Sequence, residues 1–251
     1  MQVPRSTVDA MTAMVNDISA DAQERLAELL GAVDWTADVA EVREQLVMAM
    51  EAVCGVAAEE SAIVATEMYD TLRAAELGQR LDASPVSGRD PAATEGAVRA
   101  FVDALTKGRG REAVTRQLND RVDYETKVAA AQAALECAKR DRRPPRFARV
   151  PSGAETCDFC LMLASRGFVY HTDAAASHAH ANCDCRVIPS WRGNGVEGYD
   201  PGAIYDRWQA SIDETAAERA ERKGTTVEQE RAAIMARYRE SADRARSARA
   251  K

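Results

Sequence analysis

The chain is 251 residues long and 46% hydrophobic, enough for one large domain or two small ones with a buried core. Aromatics supply only 5% while alanine is abundant, a balance that favours helices because alanine is the residue least costly to hold in helical form. The sequence contains no uninterrupted apolar run of membrane-spanning length, and MQVPRSTVDAMTAM has no apolar stretch of the kind a secretory signal needs, so neither a membrane span nor signal-peptide export is expected.

The formal net charge of −7 conceals an asymmetry. Residues 1–72 hold three Arg, no Lys and 14 acidic residues. Two short stretches are strongly basic: Lys139 to Arg149 carries six positive residues and one negative, and Arg237 to Lys251 carries six and two. Such stretches form solvated helix faces, or they contact phosphate or an acidic protein surface.

In chain order, residues 7–30 read as a first helix ended by Gly31. A second begins after Asp34 or Thr36. Val39, Val42, Leu46, Met50 and Val53 follow the three-and-four spacing of one face, and Ile63, Val64, Met68 and Leu72 extend it past an expected kink at Gly55. Ser84 to Asp90 is a loop; Asp90 then suits an N-cap, with Pro91 at the first helical position. Val98, Phe101, Val102 and Leu105 share a face of that third helix, which Gly108 and Gly110 end. A long fourth helix, from about Arg111 to Asp141, carries Val114, Leu118, Val122, Val128 and Leu135; Pro144 and Pro145 close the helical half.

After Pro145 the pattern changes. Phe147 to Val150 is short and extended, Thr156 to Arg166 reads as a short helix with Gly167 placed for a left-handed residue after it, and Phe168 to His171 and Arg186 to Ile188 are strand-like, the last stopped by Pro189. A final helical section runs from about Pro201 to the end, with capping-box spacing at Thr226 and Gln229. The expected fold class is mainly α with a small α+β metal-clipped unit. The expected divisions are a helical region 1–143, a compact α+β unit 144–199 with the Cys/His cluster, and a helical extension 200–251.

The chemistry lies in TCDFCLMLASRGFVYHTDAAASHAHANCDCRVIPSW, residues 156–191. Of six cysteines, Cys54 and Cys137 sit alone in helical patterns and read as small core hydrophobes, whereas Cys157, Cys160, Cys183 and Cys185 fall within 29 residues. Cys157-x-x-Cys160 can turn two sulfurs toward one point. His180-x-x-Cys183 offers a second pair, and Cys183 and Cys185 face the same side if they lie on a strand. A structural zinc takes four N or S ligands in a tetrahedron. The preferred set is Cys157, Cys160 and His180 with one of Cys183 and Cys185, and His178 is a weaker substitute for His180. Disulfides and reduced, unliganded thiols are the alternatives. CxxC followed by HxxCxC favours metal, and a unit this small buries little surface and usually needs a staple.

The string Thr-Cys-x-x-Cys-x-x-x-x-Ser-Arg-Gly, a gap, then His-x-x-Cys-x-Cys-x-x-x-Pro resembles the phage Mu F-like head morphogenesis domain, in the form labelled minor capsid protein in phages of actinobacteria. The matching positions are Cys157, Cys160, Arg166, Gly167, Tyr170, His180, Cys183, Cys185 and Pro189; Ala181 stands where the family often has Pro. The resemblance implies a low-copy protein of the head interior, made in the host cytoplasm during assembly. It would contact the portal protein and the major capsid or scaffold protein, with a role in assembly or DNA packaging and delivery. The basic stretches would suit contact with phage DNA; no membrane partner is expected.

Some relatives of that family are labelled capsid maturation proteases. In this chain all three His lie between His171 and His180, among the proposed ligands, and GxSxG, HExxH and HxE motifs are missing. No catalysis is expected. The alternatives are a metal-clipped nucleic-acid-binding module and a maturation protease.

Overall fold

A computed structural model describes residues 2–153, 156–171, 185–193 and 195–247, with side chains placed up to residue 240. The fold is mainly helical, about 70% of the described residues, with one small antiparallel sheet among them. Among the described residues the order is α1 (Arg5–Gly31), α2 (Val39–Leu77), α3 (Pro91–Thr106), α4 (Arg111–Arg140), β1 (Arg146–Pro151), α5 (Asp158–Ala164), β2 (Cys185–Ser190), α6 (Pro201–Lys223) and α7 (Val227–Ser247).

The helix boundaries follow from caps. The Asp38 carboxylate accepts from the N–H groups of Ala40 (2.8 Å) and Glu41 (3.0 Å), and Asp90 accepts from Ala92 with Pro91 at the first position. Asp38→Ala should therefore cost about 1 kcal/mol of stability in urea unfolding. Gly78 ends α2 at φ +78°, donating its N–H to the Ala74 carbonyl.

The 39-residue α2 is the spine, packed against α1, α3 and α4. It runs unbroken through Gly55, where the sequence suggests a kink: buried Val53, Cys54, Ala57 and Ala58 hold both flanks, outweighing the roughly 1 kcal/mol a mid-helix glycine costs. Ile63 departs from expectation, being 56% exposed while Val42, Leu46, Met50, Val53, Met68 and Leu72 are buried. It lies about a third of a turn from their stripe. Cys54 and Cys137 are buried core residues, and burial pushes both thiols up.

The loop before α3 is pinned from within. Arg89 grips Glu51 with both Nη atoms (3.0 and 2.7 Å) and donates from Nε to Glu125 (2.9 Å), whose other oxygen accepts from Thr94. Loop, α2, α3 and α4 are thus held by one bidentate guanidinium.

β1 pairs with β2 from Arg146↔Ser190 to Pro151↔Cys185. The strand expected over Arg186 to Ile188 and stopped by Pro189 runs two residues further, to Ser190. Phe147 exchanges both backbone hydrogen bonds with Tyr170 (2.7 and 3.1 Å), so its own N–H and C=O point away from Pro189, and that position of the ladder asks no donor of the proline. The strand expected at Phe168 to His171 is reduced to this single bridge at Tyr170. The final helical section is two helices. Gly224 takes φ +67° between them, and Thr226 and Gln229 form the reciprocal box: Thr226 N–H donates to the Gln229 amide oxygen and Gln229 N–H to the Thr226 hydroxyl.

Pro144 and Pro145 mark a change of secondary structure, yet the apolar packing continues through them. Phe147 shares a cluster with Tyr69, Leu135, Leu161 and Trp208. Ala148, Val150 and Ile188 share another with Val8, Ala65, Leu72 and Ala133. The junction is also locked by polar contacts. Arg73 clamps Asp141 through Nε (2.7 Å) and Nη2 (3.1 Å), and the same carboxylate accepts from the Tyr69 hydroxyl, the Trp191 indole and the Arg143 amide. Glu76 accepts from the N–H groups of Trp191 and Arg192. Arg149, the last residue of the basic stretch, is buried, while Arg142, Arg143 and Arg146 are exposed.

Candidate metal centre

α5 supplies two of the expected ligands. Cys157 is its N-cap: the backbone is extended there, and Sγ accepts from the Cys160 N–H at 3.4 Å. Cys160, one turn in, is fully buried. The helix is fixed on its other sides by the Tyr170 hydroxyl, which donates to the Leu163 carbonyl at 2.9 Å, by the Tyr199 hydroxyl on Ala164, and by an Asp158–Ser211 hydrogen bond to α6. Burial pushes the Tyr170 and Tyr199 hydroxyls up, so both remain donors at neutral pH. Gly167 sits at φ +70°, a left-handed conformation in which a side chain would be strained.

β2 supplies the third. Cys185 is the first residue of the strand, and pairing with Pro151 carries it under α5. Its Sγ lies 3.2 Å from that of Cys160. This is well beyond the roughly 2.05 Å of a disulfide and somewhat inside the spacing of nearly 4 Å that two Zn–S bonds of about 2.3 Å impose in a tetrahedron. A small outward shift of one thiol would admit a metal, so sulfur identity and spacing fit the edge of a zinc site. Arg149, on the same sheet face as Cys185, and Arg186, on the opposite face, are both buried; Arg186 donates to the Asn16 amide oxygen at 2.6 Å, tying β2 to α1. Arg149, buried on the cysteine-bearing face, complements a donor set rich in thiolate, which carries net negative charge when loaded.

His178, His180 and Cys183 lie outside the described residues. Among the described residues no group of three or more His, Cys, Asp or Glu side chains gathers closely enough to hold a metal. Cys160 and Cys185 are brought together, and Cys157 is joined to Cys160 through its backbone. Arg149 was not legible as part of this site. It reads as one more member of a basic run, and only the register opposite Val187 puts it on the cysteine-bearing face.

The sequence pattern of a family described as VG15 protein matches residues 2–211, from the start of α1 into α6, so that the bundle, the sheet and all the cysteines lie within it. No curated protein and no solved structure matches the chain. The match covers most of the chain without touching on capsid location, Mu F-like kinship or metal. The chain belongs to the VG15 family, a family of phage and viral proteins.

Proposed function

We propose that this chain is a phage minor capsid protein of the head-morphogenesis type. It would act inside the head beside the portal, in capsid assembly or DNA packaging and delivery, and its compact unit would be clipped by one structural zinc. The phage-family match supplies the viral setting. The observation that carries the rest is the meeting of the Cys160 and Cys185 thiols, from two elements 25 residues apart, over a helix capped by Cys157. Cys157, Cys160 and His180 with one of Cys183 and Cys185 would hold the metal, which would tie α5 to β2 and the residues before it. The role is structural: the chain would bind and brace, leaving cleavage of other head proteins to a separate enzyme.

The test is co-expression with the portal protein and the major capsid protein of the same phage. The chain is expected to copurify with the portal protein and to leave the major capsid protein uncut. Cleavage that Cys-to-Ala changes at the cluster abolish, with the fold intact, would replace this reading with that of a maturation protease. Failure to bind portal, scaffold or capsid protein would remove the head assignment.

A further inference from the structure

The outer face of α2 carries an aligned apolar stripe that the fold leaves uncovered. Met48, Ala52, Val56 and Ile63 are all exposed, Met48 to 64%, and they recur at helical spacing about a third of a turn from the core stripe. The stripe is about 22 Å long at 1.5 Å per residue, and aligned exposure of this kind marks an interaction surface more than scattered single residues do. Neighbouring α1, packed against α2, adds exposed Met14 and Leu29.

Charge decides what could cover it. Asp17, Asp21, Glu24 and Glu28 on α1 and Glu41 and Glu59 on α2 are exposed, in a segment with three Arg and no Lys over its first 72 residues. Two copies meeting face to face would oppose acid to acid, and nucleic acid would be repelled. The occupant is cationic. The chain has such a segment at its other end: Arg237 to Lys251 holds six positive residues and two acidic ones. In the described structure α7 packs on α6 and α6 on α5.

We infer that the acidic, apolar-striped face of α1 and α2 docks the basic C-terminal segment of a second copy of this chain, head to tail. A contact between two different patches either closes, as two copies that exchange tails or as a larger ring, or leaves one patch of each kind unused at the ends of an open chain. The inference uses none of the cysteines and stands apart from the zinc reading.

Sedimentation of the full chain tests it. Association is expected in about 0.1 M salt, weakening roughly tenfold or more in about 1 M salt as the screening length falls from about 10 Å to about 3 Å. A tail variant, Arg244→Glu with Arg246→Glu and Arg249→Glu, and a face variant, Met48→Glu with Ile63→Glu, should each be monomeric. Mixed in equal amounts, the two should form a heterodimer and nothing larger, because one intact interface remains. Unchanged helical circular dichroism verifies that both variants fold, and a chelator should leave the association unaltered. A wild-type monomer in low salt overturns the inference, and so does a tail variant that associates as the wild type does.

Discussion

Asp141→Asn should lower stability by about 3 kcal/mol at neutral pH, the lower end of what losing one partner of a buried ion pair costs. Asp141 is fully buried as a side chain and Arg73 is 9% exposed. The substitution leaves the Arg73 guanidinium without its bidentate counter-ion and weakens the acceptor used by Tyr69, Trp191 and Arg143. Burial alone would push the Asp141 carboxyl up, but the Arg73 guanidinium, the Arg143 amide and the Tyr69 hydroxyl outweigh it and hold the group below the usual carboxylate range. A carboxylate depressed in the folded state contributes stability that is fully present above its unfolded value of about 3.9 and is lost as pH falls through the folded value. The gap between wild type and Asp141→Asn should therefore be widest between pH 5 and 7, by roughly the figure above, and should narrow below about pH 4. Urea unfolding at a series of pH values measures it. A gap that stays constant down to about pH 2, roughly two units below where a free Asp titrates, would show that Asp141 is not held by charge.

The second large effect attaches to the proposed metal clip. Protein purified without added metal is expected to contain about one zinc per chain, as a single four-ligand site requires. Cys160→Ala should abolish that content and shift the melting temperature down by several degrees or more, since a structural zinc couples its binding free energy to folding. The unit around it has little else to rely on. α5 is seven residues long, far short of the roughly 12–15 that hold a helix in isolation, and Tyr170 meets the sheet through a single bridge. A chelator should lower the melting temperature of the wild type and leave Cys160→Ala unmoved, while Cys54→Ala, in the bundle core, should retain the zinc. Equal thermal stability of metal-free and as-purified wild type would defeat the zinc reading and leave the thiol contact as ordinary packing.

Local chemistry made much of the fold readable in advance. Helix starts at Asp90-Pro91, the end at Gly31, the box at Thr226 and Gln229 and the extended run at Phe147 all depend on residues within a turn of one another, so they are written in consecutive letters. The cysteine spacing likewise drew attention to Cys157, Cys160 and Cys185. Tertiary structure decided what no window of sequence holds. Gly55 keeps its helix because neighbours in other helices bury both flanks, Ile63 turns outward because α1 and α4 claim a different face of α2, and Pro189 stays in a strand because Phe147 spends its hydrogen bonds on Tyr170. The same long-range packing draws Asp141, near the start of a basic-looking run, into a bond with Arg73, 68 residues earlier. It also carries the apolar core across two prolines that read locally as a boundary. Composition and spacing specify what each segment can be; which polar groups are removed from water, and against what, depends on contacts between segments far apart in the chain.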